Sequence, residues 1–498
     1  MTVHAAPRPG ALPGGLAALA VAGASGAVLV LEILGVRLLA PYVGLTLETY
    51  TTIIGVVLAG IALGAAAGGR AADMLEPRRL LALLLIAGGL LALATVPIVR
   101  LFGEALEGAG QASALAISLF ALLPPATVLS AVTPVVVKLQ LGDLAASGTV
   151  VGRLSAWATA GALAGTFCTG FVLVPLLPVR TTVIGLGALL VAAGLIAAAA
   201  SRAFPGGALG AVAGGAVLLA ATGVAAGTRC TTESVHYCAR VVADPARPSG
   251  RLLMLDDLRH SYVDLADPRH LEFAYTRWIA DALDTMRPER EPLDALFIGG
   301  GGFTLPRYLA ATRPGSRSRV LEVDPQLVDL VREELGLRTG PALTVRTGDA
   351  RVTLRDEPAG SADVVVGDAF GSRTIPWHLA TAEFVADVRR VLRDDGLYLL
   401  NVIDRGDLAL LRAEAATLLQ QFADVALVAI PDPDDARGGP GGGNLVLIAS
   451  DRPLPPAAAP GSRGARTYDR AAVTALAGEA DALTDDAAPA DQLISGST

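Results

Sequence analysis

The sequence predicts two halves of different fold class: an N-terminal all-α transmembrane bundle of about seven helices, then a doubly wound α/β domain. Three observations carry the prediction. Hydrophobic residues make up 52% of the 498 residues, yet nearly every acidic residue falls after about residue 230. Apolar stretches long enough to cross roughly 30 Å of hydrocarbon recur through the first half. From Asp294 onward, short apolar β-type runs alternate with helical patterns, the mark of a parallel sheet flanked by helices. The chain is also too long for a single core.

The apolar spans read at about 15–40, 50–69, 80–99, 112–137, 154–177, 181–200 and 207–226. Charge is nearly excluded from them, as lipid demands. The first span exceeds a signal-peptide core, lacks a basic start and contains Glu32 and Arg37, so it is expected to be retained. Small residues recur at four-residue spacing, as at Gly60, Gly64 and Gly68 and at Ala160, Ala164 and Cys168. Such faces let helix backbones approach closely in lipid, and bundle packing is their plain reading. Glu32 and Arg37 are costly inside a span. Five residues apart, they share a helical face poorly, which leaves two readings open: a structural pair or interfacial anchor, and a transport or substrate path.

Loop charges give an orientation. One set of loops carries Arg8, then Arg70, Arg78 and Arg79, then Lys138 and Arg153, then Arg202; the opposite set carries Arg100 and Arg180. The positive-inside rule puts the N-terminus in the cytoplasm, and an odd number of spans sends the second half outside. Cys230 and Cys238 follow the last span directly, where a disulfide fits an oxidising compartment and a pair of buried thiols fits the other side. With Cys168 they are the only cysteines and lack zinc-site spacing, so no metal is expected. The net charge of -8, without a basic stripe, argues against nucleic acid as a partner.

Four segments follow: a transmembrane bundle at 1–227, a small β-rich lead-in at 228–293, a nucleoside-binding α/β domain at 294–450, and a Pro- and Ala-rich linker with a C-terminal segment at 451–498. The α/β pattern ends in two strands with no helix between them, which predicts a seven-stranded sheet closed by a hairpin at its edge. The Pro- and Ala-rich stretch reads as a flexible linker.

Ligands in such sheets bind at the carboxyl ends of the strands near the point where strand order reverses. Gly299, Gly300, Gly301 and Gly302 end the first strand of this domain and permit a tight turn with a close approach of backbone amides to a ligand. Their spacing is not a clean dinucleotide fingerprint, and a ligand-free turn is the alternative. About twenty residues on, the second strand ends in Leu321-Glu322-Val323-Asp324, where an acidic side chain can accept both ribose hydroxyls. The third strand ends in Gly348-Asp349-Ala350, suited to an adenine amino group or to a helix N-cap. The fourth ends in Gly367-Asp368-Ala369, a carboxylate able either to cap a turn or to take a proton from an attacking amine.

Taken in order, these elements resemble the polyamine aminopropyltransferases, the spermidine synthase family, and in particular its membrane-fused members. FIGGGG resembles the family's IGGGDG, LEVDP its VEID, GDA its DDG or DDA, and GDAF its DxxD segment. LDDLRHSYVDLADPRHLEFAYTR resembles the region that ends in an E-x-x-Y element, here Glu272 and Tyr275, and LTDDAAPADQL a segment of the fused members. The resemblance covers essentially the whole chain. It implies a Rossmann-like fold of the class I methyltransferase and spermidine synthase type. It also implies decarboxylated S-adenosylmethionine as co-substrate, with S-adenosylmethionine as the alternative, no permanently bound cofactor, and a diamine or polyamine as partner. The donor would be held by Gly299, Gly300, Gly301, Glu322, Asp324, Asp349 and Ala350, with Asp368 as proton acceptor and His260, Glu272 and Tyr275 beside the substrate. Self-association is left open. Four departures stand out: Gly302 and Gly371 replace acceptor-binding carboxylates, His260 replaces a glutamine, and Thr276 replaces a histidine.

Overall fold

The computed structural model describes residues 12–44, 47–106, 111–142, 147–201, 205–225, 229–288, 290–371, 375–433, 435, 439–454 and 464–495. Arg8, Arg202 and residues 455–463 of the Pro- and Ala-rich stretch lie outside them. The chain divides into two compact units, Met1–Cys238 and Ala239–Thr498.

Among the described residues of the first unit, seven helices are long and apolar enough to cross a membrane: Gly14–Val43, Glu48–Met74, Pro77–Ala105, Ala112–Gln140, Ser147–Leu176, Val179–Ala200 and Gly206–Ala225. The fourth is broken at Leu122 and Ala131 into three helical pieces. Pro124, Pro125 and Pro134 explain the breaks, since each removes a backbone donor and crowds the carbonyl four residues earlier. The fifth passes through a π-helical stretch, Thr169–Leu173. The small residues pack helix on helix. A Cβ added at Gly64 would lie 2.0 Å from the carbonyl oxygen of Thr127, and one at Gly161 would lie 2.1 Å from that of Ala22.

Arg37 and Glu32 do not pair. Arg37 reaches out of the first span to the segment after the last one, donating from Nη1 to the carbonyl of Val235 at 2.5 Å and from Nη2 to that of Ser234. Cys230 and Cys238 close this segment as a disulfide. Glu233 accepts a hydrogen bond at 3.3 Å from the amide of Val179, at the start of the sixth span, and the Arg229 guanidinium sits 4.5 Å over the Tyr42 ring. Arg37 is therefore an anchor.

In the second unit, β1 (Cys238–Asp244), β2 (Arg247–Leu255) and β3 (Leu258–Asp264) form an antiparallel meander. A helix, Ala274–Met286, leads from it into the main sheet. That sheet contains β4 (Asp294–Ile298), β5 (Arg317–Glu322), β6 (Leu343–Thr347), β7 (Ala362–Gly367), β8 (Leu392–Asp404), β9 (Asp424–Ala429), β10 (Gly443–Ser450) and β11 (Arg466–Tyr468). Their order across the sheet is β11-β9-β10-β8-β7-β4-β5-β6. The five strands from β8 to β6 run parallel, while β9, β10 and β11 pair antiparallel. Chain direction across the sheet reverses between β4 and β7, so the ligand cleft of such folds opens at their carboxyl ends.

The expectation of seven strands is corrected to eight. The β9–β10 hairpin does not end the sheet, because Arg466–Tyr468 pairs with Leu427, Val428 and Ala429 and covers the edge. An unpaired edge strand is a template for aggregation, and a short extra strand removes it.

The core of this unit includes one group that apolar packing does not explain. Glu414, on the helix Ala409–Gln421, is 0% exposed, and neither carboxyl oxygen has a hydrogen-bond partner among the described residues. Burial pushes its carboxyl up to about 8 from an ordinary 4.5. Between those two values the folded protein holds a proton that the unfolded chain has released, so stability falls as pH rises through the window. Glu414→Leu is expected to raise the unfolding free energy by about 2 kcal/mol at pH near 8 and to remove this slope. Thermal unfolding of both proteins across the window is the check, and an unchanged slope would show that the carboxyl is solvated.

Candidate active site

β4 ends in a tight turn with no room for a side chain at Gly299 or Gly301. Gly299 has φ 93° and Gly301 φ 49°. A Cβ at Gly299 would sit 2.5 Å from the backbone oxygen of Asp368, so the ends of β4 and β7 approach each other through the missing side chain. Phe303, fully buried at φ 58°, fixes the turn from below before the helix Thr304–Thr312 begins.

Glu322, the last residue of β5, folds back onto that turn. One carboxylate oxygen accepts from the Gly300 amide at 2.7 Å and from the Gly301 amide at 3.4 Å; the other accepts from Asp324 at 3.0 Å. Burial pushes its carboxyl up and the backbone donors pull it part of the way back. Asp324 has a different task. It caps the helix Pro325–Glu334, accepting from the amides of Gln326 at 3.0 Å and Leu327 at 3.3 Å.

At the end of β6, Asp349 caps the short helix Ala350–Thr353 by accepting from Arg351 at 2.8 Å. Its other oxygen lies 3.2 Å from Nε2 of His378. Ala350 is buried beneath this turn. The C-terminal segment reaches the same place: Asp485 pairs with Arg351 and accepts from the Thr381 hydroxyl at 2.7 Å.

Asp368, following β7, is the most elaborately held of these groups. The Tyr275 hydroxyl donates to one oxygen at 3.0 Å and the Asn401 amide donates to the other at 2.8 Å. Asn401 is in turn held by Asn444 at 3.2 Å. Burial pushes the Asp368 carboxyl up to about 7, against the pull of these two donors. Tyr275 is held well above its ordinary value by burial and by Asp368, so it remains a donor. The result is a carboxylate with both orientations fixed and a proton affinity near neutrality, the condition for proton transfer with small driving force.

The remaining sequence candidates divide. His260 lies against the glycine turn: its ring approaches the place a Gly301 Cβ would occupy to 2.9 Å, and its Nδ1 lies 3.0 Å from the Ser261 hydroxyl. Burial pushes the imidazole down to about 4, so it is neutral. Glu272 is exposed, and its carboxylate lies 3.2 Å from Nε2 of His270. Thr276 is buried and donates to the carbonyl of Phe273 at 2.7 Å. Gly302 donates its amide to Ser261 at 3.0 Å, and a Cβ there would lie 3.0 Å from both the Ser261 Cβ and a Val263 methyl. The meander therefore occupies the space an acidic side chain at that position would need. Gly371 is exposed.

Asn401, Asn444 and Ser261 were not among the sequence candidates. Asn401 carried a signal, as a single amide in an otherwise apolar strand, Leu397–Val402.

The strand order and the acidic strand ends together define a doubly wound domain of the methyltransferase and spermidine synthase type. Known proteins similar to this chain include aminopropyltransferases and methyltransferases. The chain is 29% identical over 197 residues to a polyamine aminopropyltransferase of Vibrio vulnificus, a match covering 39% of this chain and 61% of that protein. It is 27% identical over 132 residues to an eEF1A lysine and N-terminal methyltransferase of Danio rerio, covering 25% of this chain and 19% of that one. A crystal structure of a probable spermidine synthase from Corynebacterium glutamicum aligns with a TM-score of 0.46 at 30% identity, covering 50% of this chain and 92% of the other. The chain thus spans less than two thirds of these curated relatives. No family model matches it.

Proposed function

We propose that this protein is a membrane-bound aminopropyltransferase that moves the propylamine group of decarboxylated S-adenosylmethionine to a diamine such as putrescine. The observation that carries the reading is Asp368, clamped by Tyr275 and Asn401 beside the glycine turn and Glu322. In this reading Glu322 exchanges its bonds to the glycine amides for the ribose hydroxyls, and Asp349 with Ala350 lies against the adenine. The acceptor amine gives its proton to Asp368 and attacks the propyl carbon next to the sulfonium. The carbon–sulfur bond breaks, and methylthioadenosine leaves with the electron pair. No group beyond the two substrates is required. Incubating the purified protein with decarboxylated S-adenosylmethionine and putrescine should yield spermidine and methylthioadenosine; neither product forming would overturn the reading.

Gly302 and Gly371 favour a second reading. Without carboxylates at these positions, the site has lost groups that would hold a second ammonium, and a methyl or other alkyl transfer from S-adenosylmethionine to a different acceptor fits the same donor pocket. A third, non-catalytic reading as a transporter or sensor for a polyamine or nucleoside would keep the pocket and dispense with proton transfer at Asp368.

The soluble half lies on the extracytoplasmic side in this proposal. The loop charges support it, as does the Cys230–Cys238 disulfide directly after the last span, since such bonds persist in oxidising compartments. A cysteine introduced at the exposed position Glu333 should react with a membrane-impermeant maleimide on intact cells. Labelling only after lysis would reverse the orientation.

A further inference from the structure

The first span carries a carboxylate for which the structure supplies no counter-charge. Glu32 lies 18 residues from Gly14 and 11 from Val43 in this helix, about 27 Å and 16 Å along its axis, well inside the hydrocarbon. It is half-buried, and among the described residues no donor or cation reaches it. Arg37, the cation nearest in sequence, is committed to the carbonyls of Ser234 and Val235. An ionisable side chain at this depth is costly to keep, and one without a partner is by default a binding group.

Its surroundings narrow the ligand. The first and fifth spans run side by side in the same direction, with Gly161 against Ala22 and Gly165 against Gly26. On another side of the first span, Gly35 lies about one turn beyond Glu32 and packs against Leu122, where the fourth span breaks. Ser25 lies seven residues before Glu32 on the same stripe and is likewise half-buried. One carboxylate and one hydroxyl among apolar walls are too few oxygens for a hard metal cation, which takes six or more. They suit an ammonium on an alkyl stem, with its charge on the carboxylate and its chain on the apolar surface.

We infer that Glu32 is the intramembrane binding site for a protonated alkylamine, and that the bundle conducts such amines between the cytoplasm and the side where the soluble half works. The inference rests on the proposed amine chemistry of the soluble half for its choice of ligand. It rests on the first span alone for the site.

The test uses the full-length protein in liposomes, with radiolabelled putrescine as the probe. The wild type should show saturable uptake, Glu32→Gln should lose at least about nine-tenths of it, and Glu32→Asp should retain a measurable part. Asp368→Asn, which disables the proposed chemistry, should transport like the wild type; this separates failure of the transfer reading from failure of the amine site. Thermal unfolding of each variant identifies any loss caused by misfolding, which the aspartate variant then resolves. Uptake equal in the wild type and Glu32→Gln, uptake absent in the wild type, or proton flux without amine movement would each overturn the inference.

Discussion

Asp368→Asn is expected to lower kcat about 1,000-fold while leaving the donor Kd within about threefold of the wild type. The substitution keeps the size of the side chain and its place after β7, and removes the ability to take a proton. Asn401 can still donate to the new amide oxygen, while the hydroxyl of Tyr275 loses a carboxylate acceptor. The pH profile supplies an independent signature. Burial raises the Asp368 carboxyl to about 7, and the ionised form is the one that accepts the proton. In the wild type kcat/KM should therefore climb with pH through about 7 and level off above it; the variant should lack that limb. A variant that kept both its rate and its limb would move the proton acceptor elsewhere and favour the non-catalytic reading.

Glu322→Ala should raise the donor Kd by roughly 100-fold to 1,000-fold. In the unliganded protein this carboxylate ties the glycine turn to β5 through Gly300 and Gly301. In the proposed complex it accepts both ribose hydroxyls. Its loss removes two charge-assisted hydrogen bonds and frees the turn that lies under the nucleoside. Glu322→Gln keeps the volume and one acceptor, and should lie between the two. Calorimetric titration of the three proteins with the donor checks the order. Equal affinities would mean that the ribose is held by other groups.

The two halves were legible because each solvent writes its own pattern. Lipid excludes charge from about twenty consecutive residues, so the spans stand out; a buried parallel sheet requires short apolar strands between helices, so β4 to β10 stand out too. β11 did not. Three residues behind a Pro- and Ala-rich stretch carry no alternation, and only the edge of β9 gives them a reason to be extended. The breaks in the fourth span were readable from its prolines, yet hydropathy alone ran through them. Glu322 and Asp368 were recognisable because a carboxylate at the end of an apolar strand is unusual. Asn401 stands out as a lone amide in an apolar strand, but its meeting with Asp368 depends on the register between β7 and β8. Asp324 looked like Glu322 in sequence, and only the helix that follows assigns its carboxylate to a cap.

The membrane half shows the same division. Arg37 and Glu32 stand five residues apart in one span, a spacing that does not say whether they meet. The segment 229–238, closed by its disulfide, holds Arg37, and among the described residues no counter-charge reaches the carboxylate. That separation turns one costly residue into an anchor and the other into a candidate binding group.

The proposed function stands on binding of an adenosyl sulfonium at the carboxyl ends of β4, β5, β6 and β7. Isothermal titration of the full-length protein in detergent with decarboxylated S-adenosylmethionine, and separately with S-adenosylmethionine, tests it most directly. A saturable isotherm with at least one donor, abolished by Glu322→Ala, is the predicted result; absence of binding by both donors to folded wild-type protein would contradict it.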